Sequence, residues 1–237
     1  MRNNQRVFLA GASGETGKRV LHNLIDDNLV REIHLLVRNP VSLVNPRVYQ
    51  HVVNFDNFTD LQISNPEKLD SLSICALGTT IKKAGSEDDF RKVDLEYACN
   101  FAEFSINQQC ESFAVVSSIG ANENSGNFYL KVKGMMERRI SEMGFKSVWI
   151  FRPSLLIGKR AEFRLGEKFG GLVSKLLSPL IIGPLRKYRP IEMSTVALAL
   201  SGLTNQRTGD QQVGVHALEG CQIEALAIKN KKKLKQI

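Results

Sequence analysis

The chain has 237 residues, 43% of them hydrophobic and 24% charged, with a formal net charge of +8. That length supports one large α/β domain whose core needs no disulfide or metal staple, and the composition excludes a disordered chain. The positive excess favours anionic partners, a phosphorylated cofactor among them; part of it lies in the tail lysines Lys229, Lys231, Lys232, Lys233 and Lys235, which read as a solvated terminal run, so no nucleic acid is expected as a partner.

From the N-terminus, residues 7–10 form a short apolar run that ends at Gly11 and reads as a strand buried on both faces. Residues 15–28 carry Val20, Leu21, Leu24 and Ile25 at helical spacing. Residues 33–37 read as a second strand and 48–53 as a weaker third, followed by a short helical piece at 58–63. A fourth strand falls at 72–77, a long helix at 87–108, a fifth strand at 112–117, a helix at 128–143 and a sixth strand at 147–151, closed by Pro153. Six β units with helical crossovers predict an α/β, doubly wound parallel sheet, the Rossmann fold. Beyond Pro153, glycine, proline, arginine and lysine punctuate 158–190; a helix at 190–203, a strand at 213–217 and a helix at 222–228 follow. The expected organisation is a single dinucleotide-binding domain, 1–237, to which 154–237 adds a small substrate-side cap.

Gly11, Gly14 and Gly17 have the spacing GxxGxxG directly after a strand and at the opening of a helix. The first glycine permits a tight turn, the second lets the backbone approach a pyrophosphate, and the third lets helix pack on strand. The helix start then offers free N–H groups to the anion. A triphosphate loop is the nearest rival. It fails because Ala12 stands where its first glycine belongs, and Arg19 follows Lys18 where Ser or Thr would hold magnesium. At the end of the second strand, where an acidic residue commonly takes the ribose 2′-hydroxyl of NAD, the chain has Arg38. A guanidinium suits a 2′-phosphate, so NADP is favoured over NAD. Asp56, after the third strand, is placed to accept from an adenine amino group or to cap a helix. Leu77, Gly78, Thr79 and Thr80 end the fourth strand, at the edge where such sheets bind ligands.

Tyr129 and Lys133 lie four apart on one helix and share a face. An ammonium near a phenol favours the phenolate and lowers its pKa, which lets tyrosine exchange a proton with a substrate oxygen while hydride moves to or from a nicotinamide. Ser117 and Ser118 end the fifth strand, and a hydroxyl there could hold the same oxygen. Cys75, Cys99, Cys110 and Cys221 show no CxxC pairing, so no metal site is read. No secretory leader and no span of 18 apolar residues is present, and a reducing, cytoplasmic protein is expected.

These stretches together resemble the short-chain dehydrogenases/reductases of the atypical type, and within them the NADP-binding family of the HIV Tat-interacting protein. They are the glycine turn at 11–17, Leu77 to Thr80, Ser117-Ser118-Ile119-Gly120-Ala121, Tyr129 to Gly134 and Phe151-Arg152-Pro153; in family order they cover about residues 5 to 165. The resemblance implies that Ser13, Gly14, Glu15 and Thr16 line the phosphates with Arg38 at the 2′-phosphate. It implies that Tyr129 and Lys133 are the acid–base pair, Lys133 also holding the nicotinamide ribose. Pro153, Leu156 and Arg164 would complete the cofactor site, and Ser118, ahead of Ser117, would hold the substrate oxygen. The superfamily often adds an asparagine on the preceding helix; Asn100 lies there, with no register that ties it to the site. The implied activity is NADP-dependent oxidation and reduction of a small carbonyl or alcohol substrate. Two other readings stand beside it: a cofactor-sensing regulator with a protein partner and little turnover, and a sugar-nucleotide epimerase.

Overall fold

The computed structural model describes residues 5–157, 188–205 and 213–234. Seven strands, β1 (Gln5–Ala10), β2 (Val30–Val37), β3 (Val48–Val52), β4 (Asp70–Cys75), β5 (Ser112–Val116), β6 (Ser147–Arg152) and β9 (Gly214–Glu219), pair in parallel in the order β3-β2-β1-β4-β5-β6-β9. A separate parallel pair, β7 (Leu156–Ile157) and β8 (Ile191–Glu192), joins the segments that flank 158–187. The central strands are continuous apolar runs because helices cover both faces: Val7, Phe8, Leu9 and Ala10 are all fully buried. Strand order reverses between β1 and β4, which opens a crevice at the carboxyl ends of the strands.

One face of the sheet packs on α1 (Glu15–Ile25), α6 (Met193–Ser201) and α7 (Gly220–Leu234). Val20, Leu21 and Leu24 form the buried stripe of α1 and join Val7, Leu9, Val196 and Leu200 in one aliphatic cluster. Each such side chain contributes roughly 1.5–3 kcal/mol on burial. The opposite face packs on α3 (Glu87–Arg91), α4 (Tyr97–Asn107) and α5 (Phe128–Ser141), around seven buried phenylalanines that include Phe8, Phe101, Phe104 and Phe113. The short α2 (Ile81–Ala84) precedes α3.

Three sequence expectations differ from what is observed, and the expected strand at 213–217 forms. The helix expected to run to residue 28 stops at Ile25, because the buried Asp27 carboxylate accepts from the Leu29 N–H (2.9 Å) and the Thr204 hydroxyl (2.6 Å). No helix forms at 58–63. There the backbone is held by side chains of α4 and its end: Gln108 donates to the Leu61 carbonyl (2.7 Å) and accepts from the Ile63 N–H (3.1 Å), and Asn107 donates to the Thr59 carbonyl (3.1 Å). The long helix at 87–108 is divided by a π-helical turn, Lys92–Glu96, between α3 and α4. The final strand is a full member of the sheet: β9 pairs with β6 from Ser147↔Gly214 to Arg152↔Glu219.

Candidate functional site

The first loop of the sheet is built by steric necessity. Gly11 has φ +89°, and a Cβ there would lie 2.5 Å from the Ala76 carbonyl carbon. A Cβ on Gly17 would lie 2.0 Å from the Gly11 carbonyl oxygen, so only glycine lets α1 start against β1. The Gly14 N–H donates to the Gly11 carbonyl (2.9 Å) and closes the turn. No side chain caps α1, which leaves its first N–H groups for an anion. Ser13 and Gly14 are exposed, and Glu15, half-buried, pairs with Arg19 at 2.9 Å. The Thr16 hydroxyl is buried with no hydrogen-bond partner among the described residues. An orphaned hydroxyl and an uncapped helix start, set in a turn without side-chain bulk, fit a pyrophosphate.

The other expected residues follow along the same edge. Arg38 is exposed directly after β2 and makes no ion pair among the described residues. Asp56, exposed after β3, pairs with Lys92 (3.0 Å) and accepts from the Tyr97 hydroxyl (3.3 Å). Leu77 and Gly78 are half-buried after β4. Pro153, buried after β6, accepts from the Ile119 N–H (3.0 Å) and so ties the loop after β5 to β6. Leu156 sits in β7 as part of the aliphatic cluster. Arg164 lies outside the described residues.

Asn127 caps α5 by accepting from the Leu130 N–H (3.1 Å). Gly134 brings that helix hard against the loop from β5, for a Cβ there would lie 2.2 Å from the Asn122 carbonyl carbon. Tyr129 is half-buried with its ring 5.5 Å from that of Phe90. Lys133, one turn on, is buried; its ammonium donates to the Val116 carbonyl (3.3 Å) and pairs with Asp94 Oδ1 at 2.7 Å. The other oxygen of Asp94 accepts from the Thr79 N–H at 2.8 Å. A further turn along, buried Glu137 takes both Arg152 (Nε 3.0 Å) and the Ser117 hydroxyl (2.5 Å). Glu137 also draws up the basicity of Arg152 by hydrogen bonding, against the opposing effect of burial. The two serines thereby separate. Ser117 is committed to Glu137, whereas Ser118, also buried, makes a weak 3.4 Å contact to the Ile119 carbonyl. Cys75, behind the pair, is a neutral thiol, its pKa pushed up to about 12 by burial.

Asn100 stands apart from this cluster and donates to the Phe55 carbonyl (2.8 Å). The residue of that helical stretch that reaches Lys133 is Asp94, which sequence reasoning passed over, as it did Glu137 and Arg152. A signal was present for each acid: Asp94 falls four residues after Phe90 on an apolar face, and Glu137 falls four after Lys133. Each buried carboxylate is paired, as burial requires.

No family model matches the chain. Protein HTATIP2 of Rattus norvegicus is 36% identical over 167 residues, 69% of this chain and 68% of that protein. Protein FMP52, mitochondrial, of Debaryomyces hansenii is 32% identical over 176 residues, 70% of this chain and 76% of its own length. Among solved structures, the ADP-L-glycero-D-manno-heptose-6-epimerase of Helicobacter pylori superposes with a TM-score of 0.62 at 14% identity, covering 99% of this chain and 86% of that one; this supports the fold. The expectation of a cytoplasmic protein is overturned here, since the fungal relatives are named mitochondrial. Among the described residues no helix is long and apolar enough to cross a membrane.

Proposed function

The chain belongs to the HTATIP2 and FMP52 family of atypical short-chain dehydrogenases/reductases, and on that premise we propose that it is an NADP-dependent oxidoreductase of a small carbonyl or alcohol. The observation that supports this most is the burial of Lys133 at the ends of β4 and β5, one turn beyond Tyr129 and at the same sheet edge as the glycine turn. NADPH, when bound, would supply the hydride. The turn at 11–17 binds the pyrophosphate and Arg38 the 2′-phosphate; Lys133 holds the nicotinamide ribose. Tyr129 gives its phenolic proton to the substrate oxygen, and the Ser118 hydroxyl, not committed to Glu137 as Ser117 is, holds that same oxygen.

A second reading, cofactor and protein-partner binding with little turnover, is favoured by one feature. The Lys133 ammonium is already taken up by the Asp94 carboxylate at 2.7 Å, a buried ion pair that serves binding as well as it serves proton transfer. Turnover of NADPH with a panel of aldehydes, ketones and quinones separates the two. The oxidoreductase reading expects a reactive substrate and a loss of roughly 100-fold or more in Tyr129→Phe; tight NADPH binding with no tyrosine-dependent turnover supports the second. For the cofactor, Arg38→Ala is expected to weaken NADPH by roughly 10- to 100-fold and NADH little. Equal weakening of both would remove the 2′-phosphate assignment.

A further inference from the structure

Asp94 occupies the middle of the π-helical turn Lys92–Glu96 and is 2% exposed. π-turns inside α-helices are rare and recur at functional sites, because the extra residue re-aims a side chain at the expense of regular hydrogen bonding. Here the re-aimed side chain is a carboxylate in the apolar interior, where an ionised group must be matched by charge and hydrogen bonds. Both of its oxygens are matched: Oδ1 by the Lys133 ammonium at 2.7 Å, Oδ2 by the Thr79 N–H at 2.8 Å. A Cβ on Gly78 would stand 3.5 Å from Oδ1, so the strand end closes over the carboxylate without a side chain between them.

One carboxylate therefore joins three elements of the site. It sits on the helical stretch after α3, holds the lysine of α5, and anchors the loop that leaves β4. We propose that Asp94 is the positioning residue of Lys133: it supplies the counter-ion that keeps the buried ammonium charged and fixes it at the height of the Leu77–Thr79 loop. This rests on the reading that Lys133 holds the cofactor ribose. Asp94 touches neither cofactor nor substrate and acts through the lysine. Among the described residues, Cys75 of β4, a neutral thiol, lies beside the pair, and Tyr129 and Glu137 share the helix of the lysine; Glu137 is taken up by Arg152 and Ser117. Asp94 is accordingly the carboxylate paired to the ammonium.

The test is NADPH affinity, followed by nicotinamide fluorescence at pH 6 and pH 8, each value referred to wild type at the same pH. Lys133→Met is expected to weaken binding roughly tenfold. Asp94→Asn, which keeps an acceptor for the Thr79 N–H but removes the charge, is expected to weaken it comparably at pH 8 and less at pH 6, since an ammonium without its counter-ion survives only at lower pH. The double variant is expected to bind no more weakly than Lys133→Met alone, because Asp94 then has nothing to position. Asp94→Asn that binds as wild type does, or that weakens binding equally at both pH values and by a further tenfold in the Lys133→Met background, overturns the proposal. Unchanged affinity in Lys133→Met is a different result: it removes the cofactor role of the lysine itself. Should Asp94→Asn not fold, the double variant, which removes both charges together, and Asp94→Glu, which keeps the charge, carry the same comparison.

Discussion

The two faces of the sheet are built from different materials. The face under α1, α6 and α7 is almost wholly aliphatic, with Phe151 and Trp149 its buried aromatics. Its buried polar groups include Asp27 and Thr204 at helix ends and Asn230, which donates from α7 to the Leu198 carbonyl of α6. The face under α3, α4 and α5 is aromatic, and charge runs through it: Arg6, Asp94, Lys133 and Glu137 are all buried there, with His34 stacked between Tyr49 and His51. Arg6 lies over the Phe8 ring and donates to the Ile63, Ser64 and Gln108 carbonyls. Volume complementarity holds the first face together. The second is held by satisfied polar networks, whose members lose most when one partner is removed. The site's buried charged side chains, Asp94, Lys133 and Glu137, come from the second face, where an ammonium can be kept dry and still be paired.

Three experiments can break or sharpen that contrast. The largest effect belongs to the aliphatic face. Leu24→Ala is expected to cost about 3 kcal/mol of unfolding free energy in urea titrations, while Leu24→Met, which keeps the volume, costs less than about 1.5 kcal/mol. On the charged face the ranking inverts, because a change that keeps the volume is already harmful. Glu137→Gln is expected to cost about 1–2 kcal/mol, the value held down by the partial exposure of Arg152. If Glu137→Gln were silent while Leu24→Met was costly, the distinction between the faces would be wrong.

The smallest effect is in pH. Burial lowers the pKa of both His34 and His51, with Glu32 opposing it at His34. The unfolded chain then binds protons that the folded chain refuses, so this stability is present above the unfolded value, near 6.5, and is lost as pH falls below it. A loss of stability is expected in thermal unfolding between pH 7 and pH 5, and His34→Gln should flatten the curve. A protein whose stability is unchanged over that interval would count against the charged face as the pH-sensitive one.

The strands and the glycine turn were legible because their causes are local. An apolar run between turn residues admits few structures, and Gly11 and Gly17 stand where any side chain would strike backbone. The remainder depends on partners distant in the chain. The segment 58–63 has helical spacing, but its carbonyls and N–H groups go to Asn107 and Gln108, more than 40 residues away. Tyr129 and Lys133 could be picked out by their spacing. The acids beside them, Asp94 and Glu137, show a four-residue helical spacing in the sequence, but not that one pairs with Lys133 and the other with Arg152 and Ser117. Ser117 and Ser118 are chemically identical neighbours; Glu137 distinguishes them, and that contact spans 20 residues.

The π-turn at Lys92–Glu96 has a consequence for chain length. Removing one residue there would let α3 and α4 fuse into a regular helix, and everything on the N-terminal side would turn by about 100° relative to the face that α4 presents to the sheet. Phe101 and Phe104 could stay in their sockets while Asp94 swung off the lysine. A single-residue deletion in this turn would thus leave the packing of α4 in place while turning the buried Phe90 of α3 away from the Tyr129 ring, and the site would feel both changes.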